Sequence, residues 1–370
     1  MLKLNKISLD GYKSIRHCHD LKLEKLNVLI GANGSGKSNF LSFFKLLSFE
    51  MTGALQEFIG RSGGRDSLLY FGPKVTNHVT AELEMTSDSG TNSYRMTLAD
   101  APPDTLIFTE ESILFYPIGA VTQANRMYLG AGHRESALLS PTLAGNPTAK
   151  FFRNTLSRFR FYQFHDTSDQ SHMRSRSDLS GPQYLYADGG NVAAHLLLLR
   201  EKQPECYQRV VGTIRLVFPF FRDFVLEPDS GGGSFVMLRW KAVGSSEYDF
   251  GPHQISDGTL RFIALATLLL QPHDWLPRLI TIDEPELGLH PYAIKILISL
   301  IQDATNFTQI IVATQSAALV DQVEPEDVIV ADMVDGATRF ERQSREKLKE
   351  WLDDYTLGQL WEKNVIGGRP

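Results

Sequence analysis

One octapeptide restricts this chain more than any other stretch. Gly31-Ala32-Asn33-Gly34-Ser35-Gly36-Lys37-Ser38 matches GxxxxGK[ST] in full and lies between the apolar run Leu26–Ile30 and a helix expected over 36–50. That context, strand then glycine loop then helix, is what a phosphate-binding loop requires. Its glycines let the backbone curl so that successive N–H groups face phosphate oxygens, and the helix adds its positive end. The backbone from Asn33 and Gly34 through Ser35 and Gly36 to Asn39 is therefore the expected nucleotide cradle. Lys37 would reach the β/γ-phosphates and the Ser38 hydroxyl would bind Mg²⁺. A tight strand-to-helix turn holding Lys and Ser by coincidence would explain a fragment of this pattern, but the whole loop is present.

A second constellation fits the first. Leu279-Ile280-Thr281-Ile282 runs into Asp283-Glu284, so an apolar strand delivers two adjacent carboxylates to its C-terminal edge, where open α/β sheets bind ligands. Asp283 would hold Mg²⁺ through water or Ser38, and Glu284 would polarise an attacking water as general base. Alone, the pair could be an acidic turn before Pro285. Together with the phosphate loop it points to nucleoside-triphosphate hydrolysis with ATP and Mg²⁺.

Composition narrows the setting. The 370 residues carry 37 Lys+Arg against 43 Asp+Glu, a formal charge of −6 that gives no global pull toward a polyanion. The longest nearly apolar run, Phe262 to Leu270, is too short to cross a bilayer. The N-terminus has no apolar core of a secretory signal, so a cytoplasmic protein without membrane partners is expected. Cys18 and Cys206 cannot build a four-cysteine zinc site and are expected as buried small hydrophobes.

Along the chain, His78 to Pro117 shows four short β-like stretches (VTAELEM, SYRMTL, TLIF, SILFY), an expected antiparallel layer. From about Ala120 the pattern turns mainly helical and irregular, with Asn191–Arg200 the clearest helix. After Gly231-Gly232-Gly233, a strand at Phe235–Trp240 is followed by helix 257–270, strand 279–282, helix 292–304 and strand 309–313. This alternation argues for a mostly parallel sheet with helices on its faces. Four segments result: 1–119, the N-terminal part of an α/β core with the phosphate loop and antiparallel layer; 120–225, a mainly helical insertion or lid; 226–340, the C-terminal part of the core; and 341–370, a tail. No heptad repeat is long enough for coiled-coil arms.

Three further strings separate the P-loop classes. Ile255-Ser256-Asp257-Gly258-Thr259-Leu260-Arg261 resembles the signature loop of ABC ATPases, with Asp257 where transporters commonly have glycine. Glu286-Leu287-Gly288-Leu289-His290-Pro291 follows the carboxylates as in the SMC/RecF/OLD-like branch. Gln315, in Ala313-Thr314-Gln315-Ser316, stands at the switch-histidine position. With Gly11-Tyr12-Lys13-Ser14-Ile15, Ser62-Gly63-Gly64 and Leu357-Gly358-Gln359-Leu360-Trp361-Glu362, the chain is similar over nearly its full length to stand-alone bacterial ATPases of the AAA_21 type. The resemblance implies an ABC-head-like P-loop NTPase. It also implies a homodimer sandwiching two ATP·Mg²⁺, in which Ser256, Asp257 and Gly258 of one subunit cap the nucleotide of the other, and larger assemblies are open to it.

By the same resemblance, Glu284, Lys37 and Gln315 are the expected catalytic residues. Gln315 can hydrogen-bond a γ-phosphate but carries no charge, which leaves open a nucleotide-dependent scaffold with little hydrolysis. The resemblance further implies control of DNA or of a partner effector such as a nuclease, in defence against foreign DNA or in repair. No nuclease motif is visible in the chain. A transporter nucleotide-binding subunit shares the core motifs, but the long gap from Lys37 to Ser256 and the missing histidine count against it. A small-molecule kinase needs no signature loop, and a GTPase would carry an NKxD motif. Gln56 is the nearest residue for the usual magnesium-contacting glutamine, or else an ordinary surface residue.

Lys150–Arg176 interleaves arginines with Phe151, Phe152, Phe159, Phe161, Tyr162 and Phe164. This is either a nucleic-acid surface or an amphipathic segment whose rings are core. In the tail, Leu348, Trp351, Leu352, Leu360 and Trp361 recur at roughly helical spacing and are expected to pack on the body, with a docking surface as the alternative.

Overall fold

Strand β3 (Leu26–Ile30) is buried at all five positions, as a central strand covered on both faces must be. A computed structural model describes residues 3–118, 126–181, 184–229, 233–244 and 247–369. The expectations that fall on the boundary at 119–120, on Gly231-Gly232 and on Pro370 lie outside the described residues.

Chain order begins with β1 (Lys3–Tyr12), β2 (Ile15–Lys22), β3, α1 (Lys37–Glu50), α2 (Leu55–Arg61), β4 (His78–Ser87), β5 (Gly90–Ala101), β6 (Thr105–Pro117) and β7 (Met127–Gly130). It continues with α3 (Pro147–Leu156), β8 (Phe159–Tyr162), β9 (Ser177–Asp178), α4 (Val192–Lys202), α5 (Pro204–Val217), β10 (Phe221–Val225), β11 (Phe235–Val236) and β12 (Arg239–Ala242). The last third holds α6 (Asp257–Leu269), β13 (Leu279–Asp283), α7 (Pro291–Ala304), β14 (Gln309–Ala313), α8 (Ala317–Val320), β15 (Val328–Val334), β16 (Ala337–Arg342), α9 (Arg345–Leu352) and α10 (Leu357–Glu362).

The chain forms two units. The first comprises Met1–Phe161, Pro277–Thr281 and Gln309–Pro370, the second Tyr162–Leu276 and Ile282–Thr308. Unit 1 holds an antiparallel sheet of order β2-β1-β4-β5-β6-β7 and a mixed sheet of order β16-β15-β3-β14-β13-β8. In the mixed sheet β3 pairs in parallel with β14 and β15, and β15 pairs antiparallel with β16. Leu279–Thr281 of β13 belong to this unit, while Ile282 and Asp283 belong to the second. Helix α1 supplies Phe40, Leu41, Phe43, Phe44, Leu46 and Leu47 to a core shared with the antiparallel sheet. Unit 2 is built on α4–α7 with the small pairings β10–β12 and β9–β11.

The stretches TLIF and SILFY are one strand rather than two. Strand β6 runs through the polar Thr109-Glu110-Glu111, with a register shift against β5 between Thr97 and Leu98 that absorbs the irregularity. Glu111 is tolerated in this buried strand because its carboxylate is fully engaged. Ser136 Oγ donates to Oε1 at 2.5 Å, while His133 Nε2 at 2.7 Å and the Ala137 N–H at 2.8 Å reach Oε2.

The Tyr94 hydroxyl of β5 contacts both Glu111 and Glu50, the last residue of α1. Burial, reinforced by the nearby Glu111 charge, raises the Glu50 pKa well above the ordinary carboxylate value. A phenol has one proton, so the network closes when neutral Glu50 donates to the Tyr94 oxygen and Tyr94 donates to Glu111. A carboxyl raised on folding is protonated in the native state before the unfolded one, so this group's contribution falls as pH rises from about 4.5 toward the folded value. The slope approaches about 1.4 kcal/mol per pH unit. Glu50→Gln, which keeps the shape without the titration, is expected to remove that slope from a denaturant-unfolding series. An unchanged slope would show that Glu50 is not its source.

Cys18 and Cys206 are both buried and unpaired with each other. The tail packs on unit 1: Gly358 N donates to Asp321 Oδ1 at 2.7 Å, a Cβ at Gly358 would meet Ala317 O, and the buried Trp361 indole donates to Gly368 O. Trp351 remains 46% exposed.

Candidate nucleotide site

Unit 1 carries the phosphate loop. The loop leaves β3 at Gly31 and enters α1 at Lys37, with Gly31, Gly34 and Gly36 all at positive φ. Side chains are also excluded by space at two of them. A Cβ at Gly31 would lie 2.2 Å from Ala331 O, and one at Gly36 would lie 2.0 Å from Thr338 Oγ1. A hydrogen-bond chain pins the loop from outside: Asn39 Nδ2 donates to Ser14 Oγ (2.8 Å), Ser14 to Thr338 Oγ1 (2.7 Å), and Thr338 to Ser35 O (2.9 Å). Gly11–Ile15, one of the strings that carries the resemblance, thus meets the phosphate loop through Ser14.

Lys37 is buried and its ammonium donates to Gly31 O at 2.6 Å and Ala32 O at 3.0 Å, folding the side chain back over the loop. The N-cap of α1 is Gly36, which supplies no side-chain cap, and a helix start of this kind favours an anion. Ser35 Oγ is buried without a protein partner inside the loop. An unsatisfied hydroxyl, an uncapped helix start, left-handed glycines and a curled lysine all fit a polyphosphate. Ser38 is exposed and Asn39 half-buried, and Asn33 and Gly34 face solvent. Beside the loop opens a cavity of about 810 Å³ lined in part by Lys13, Ser14, Asn39, Ser62, Tyr70 and Phe71, large enough for a nucleoside. Burial lowers the Lys13 pKa, with the Lys45 charge acting in the same sense.

Gln315 lies in the same unit. Ala313 of β14 pairs with Leu29 of β3, so Gln315 and Gly31 each sit two residues past a paired position, at one edge of the sheet. Gln56 does not join them. Its Nε2 donates to Leu106 O (3.1 Å) and Arg134 O (2.8 Å), and its Oε1 accepts from Thr105, so its polar atoms are committed to structure.

Unit 2 carries the carboxylates and the signature loop. Asp283 is buried at the end of β13, and Glu284 follows at φ 45°, a left-handed conformation costly for a residue with a Cβ. His165 Nε2 donates to Asp283 O at 3.1 Å while its Nδ1 meets Gln163 Nε2, which fixes the ring as the Nε2–H tautomer. The Ser38 hydroxyl of unit 1 and the Asp283 carboxylate of unit 2 are each, taken separately, an oxygen donor of the hard type that Mg²⁺ prefers.

Ser256 caps α6, accepting from the Thr259 N–H at 3.2 Å, and with Asp257 it is exposed at the helix start. Gly258 is required by close approach, since a Cβ there would lie 2.1 Å from Gly288 O. The signature string and the Glu286–Pro291 string therefore meet backbone to backbone. Two arginines hold this arrangement. Arg174, 5% exposed, donates to Thr167 O (2.9 Å), Ile255 O (3.1 Å) and Pro252 O, and pairs with Asp257 at 2.8 Å. Arg261 donates to Phe164 O (2.8 Å), His165 O (3.2 Å) and Leu287 O. Burial lowers the Arg261 pKa, opposed by the Asp257 and Glu286 charges.

Sequence reasoning missed Arg174 and His165 as supports of the signature loop and of the Asp283 backbone. Their partners are distant carbonyls that no local pattern reveals. The interleaved rings of 150–176 are core: Phe152, Phe159, Tyr162 and Phe164 are each at most 2% exposed, and Phe151 and Phe161 pack against the core of unit 1. The four fully buried rings offer no stacking platform. Arg153 and Arg160 donate to backbone carbonyls, Arg153 to Leu138 O and Arg160 to Ser157 O and Phe159 O. No helix among the described residues is long and apolar enough to cross a membrane.

A glycine loop that leaves the central parallel strand β3 and opens α1 gives the chain a P-loop fold of the ABC-ATPase-head kind. The chain belongs to the family described as "AAA domain, putative AbiEii toxin, Type IV TA system", which it matches over residues 26–321. Solved structures repeat the fold. The Smc head bound to the C-terminal winged-helix domain of ScpA is similar at TM-score 0.62 and 16% identity, covering 93% of this chain and 99% of that one. The Smc head with an extended coiled coil bound to the C-terminal domain of ScpA, from Pyrococcus furiosus, gives 0.58 and 14%, covering 96% and 99%. The Smc head with a coiled coil and joint from Pyrococcus yayanosii gives 0.55 and 13%, covering 96% and 99%. No curated protein matches the chain.

Proposed function

We propose that this protein is an ATP-hydrolysing dimerisation switch. Two subunits sandwich two ATP·Mg²⁺, and hydrolysis opens them again. The observation that carries this reading is the phosphate loop itself, with Lys37 folded over it and the start of α1 left uncapped. Lys37 and the loop N–H groups bind the β/γ-phosphates, and Glu284 takes a proton from the attacking water. Magnesium, held through Ser38 and Asp283, would offset the phosphate charge. Gln315 offers a hydrogen bond to the γ-phosphate. Ser256, Asp257 and Gly258, exposed or half-buried at the start of α6, supply a second anion-binding helix end for the nucleotide of the partner subunit.

The switch would act on DNA or on a partner protein such as an effector nuclease, in the cytoplasm. The family description, a toxin of a type IV toxin–antitoxin system, favours defence over repair. The Smc heads bound to ScpA domains lend support to a protein partner. A second reading, a nucleotide-dependent scaffold with little turnover, is favoured by one residue: Gln315 stands where a histidine would carry positive charge.

Ser256→Arg tests the shared site. A bulky cation at the exposed helix start should leave ATP binding by the isolated subunit within about twofold, because only the partner's nucleotide contacts Ser256 in this reading. ATP-dependent doubling of mass in light scattering should disappear, and hydrolysis should fall at least about a hundredfold. Normal turnover together with normal assembly would refute a site completed in trans.

A further inference from the structure

The β1–β2 hairpin brings three metal-ligating side chains together outside the nucleotide site. Asp10 of β1 pairs directly with His17 of β2. Successive strand residues alternate faces, so His17 and His19 stand on the side of Asp10, while Cys18 between them is turned into the core at 7% exposure. Asp10 Oδ1 lies 3.3 Å from His17 Nδ1 and 3.7 Å from His19 Nε2. The two imidazoles are nearly parallel, 18° apart with centroids at 5.8 Å. The Cys18 N–H donates to the same Asp10 oxygen at 3.3 Å, which fixes the carboxylate from behind. Among the described residues this is the group of three His, Cys, Asp or Glu donors whose ligand atoms all lie within 4.8 Å of one another.

These separations have a chemical meaning. A tetrahedral zinc ion with bonds of about 2.0–2.1 Å holds its ligands about 3.3–3.5 Å apart. The Asp10–His17 spacing already equals one such edge and Asp10–His19 is within a small rotation of another. The histidines, 62% and 64% exposed, are free to make that rotation. Two imidazoles and a carboxylate select zinc and its first-row neighbours over Mg²⁺ or Ca²⁺, which prefer all-oxygen shells. We propose that Asp10, His17 and His19 form a three-ligand site for a divalent transition ion, zinc first, with a fourth position open to water or to a donor from another molecule. Without an ion the same contacts are two histidine–aspartate pairs, and binding measurements separate the two cases.

The test uses the full chain without a histidine tag, stripped of metal by a chelator and then dialysed. Zn²⁺ is titrated by calorimetry and Co²⁺ by visible absorption. One equivalent is expected, with a cobalt d–d band of four- or five-coordinate intensity. In the double variant His17→Ala/His19→Ala, both changes at exposed positions, that equivalent should weaken at least about a hundredfold while the far-ultraviolet spectrum and ATP affinity stay unchanged. Asp10→Asn alone should weaken it by about tenfold or more. Absence of binding at about 100 µM metal would overturn the site. So would an equivalent of undiminished affinity in the double variant, because the ion would then sit elsewhere, for instance at Asp283 and Glu284.

Discussion

Lys37→Ala is expected to weaken ATP binding by about 30- to 150-fold, read by calorimetry with the unmutated chain as reference. The figure follows from the loss of a charge-assisted hydrogen bond, worth about 2–3 kcal/mol. The ammonium at present donates to Gly31 O and Ala32 O, the carbonyls at the entrance of the loop. The loop's shape should survive, because the Asn39–Ser14–Thr338–Ser35 hydrogen-bond chain that pins it does not involve Lys37. Circular dichroism and the unfolding midpoint should accordingly change little. An unaltered ATP affinity in a well-folded variant would remove the phosphate-loop assignment and with it the reading of the whole protein as a nucleotide switch.

What was legible in the sequence was what local chemistry dictates. The phosphate loop needs glycine at fixed offsets for φ and for space, and those offsets survive in any sequence that folds this way, so the β3–loop–α1 unit could be read directly. Strands β13 and β14 and helices α6 and α7 likewise announced themselves through uninterrupted apolar runs or helical periodicity. Less legible were features whose cause lies far along the chain. Strand β6 looked broken because Glu110-Glu111 is polar, yet Glu111 is satisfied by His133, Ser136 and the Ala137 N–H, about two dozen residues later. Such satisfaction over a distance is what permits a buried carboxylate. The rings of 150–176 read as core ahead of a nucleic-acid surface, but both stayed open because composition alone cannot say which way a ring points. For Arg174, a buried guanidinium shared among three carbonyls and Asp257, the sequence offered only an arginine in a basic stretch. The Asp10–His17–His19 group did have a local signal, an H-x-H pair on a strand, but its third member arrives only through the register of the hairpin.

Glu284→Gln should have the larger kinetic effect and should also decide between switch and scaffold. The substitution is isosteric, so it keeps whatever local contacts hold residue 284 at φ 45°, while the amide cannot accept a proton from water. Loss of a general base typically costs about 10²–10⁴-fold in turnover. ATP affinity should be retained, since Lys37 and the loop N–H groups are untouched. In a switch, binding without hydrolysis accumulates the closed assembly, so the variant's solution mass should double with ATP·Mg²⁺ and return to that of one chain after nucleotide is removed. The unmutated chain should show the doubled form only in proportion to the time its nucleotide survives. If instead both proteins form the same assembly without ATP, nucleotide does not drive association, and Gln315 marks a site evolved to hold rather than to turn over. Hydrolysis that persists at the unmutated rate would shift the base elsewhere. In that case the strain at residue 284 would belong to the turn into Pro285 and not to catalysis, because a left-handed backbone is retained wherever the surrounding chain over-determines it.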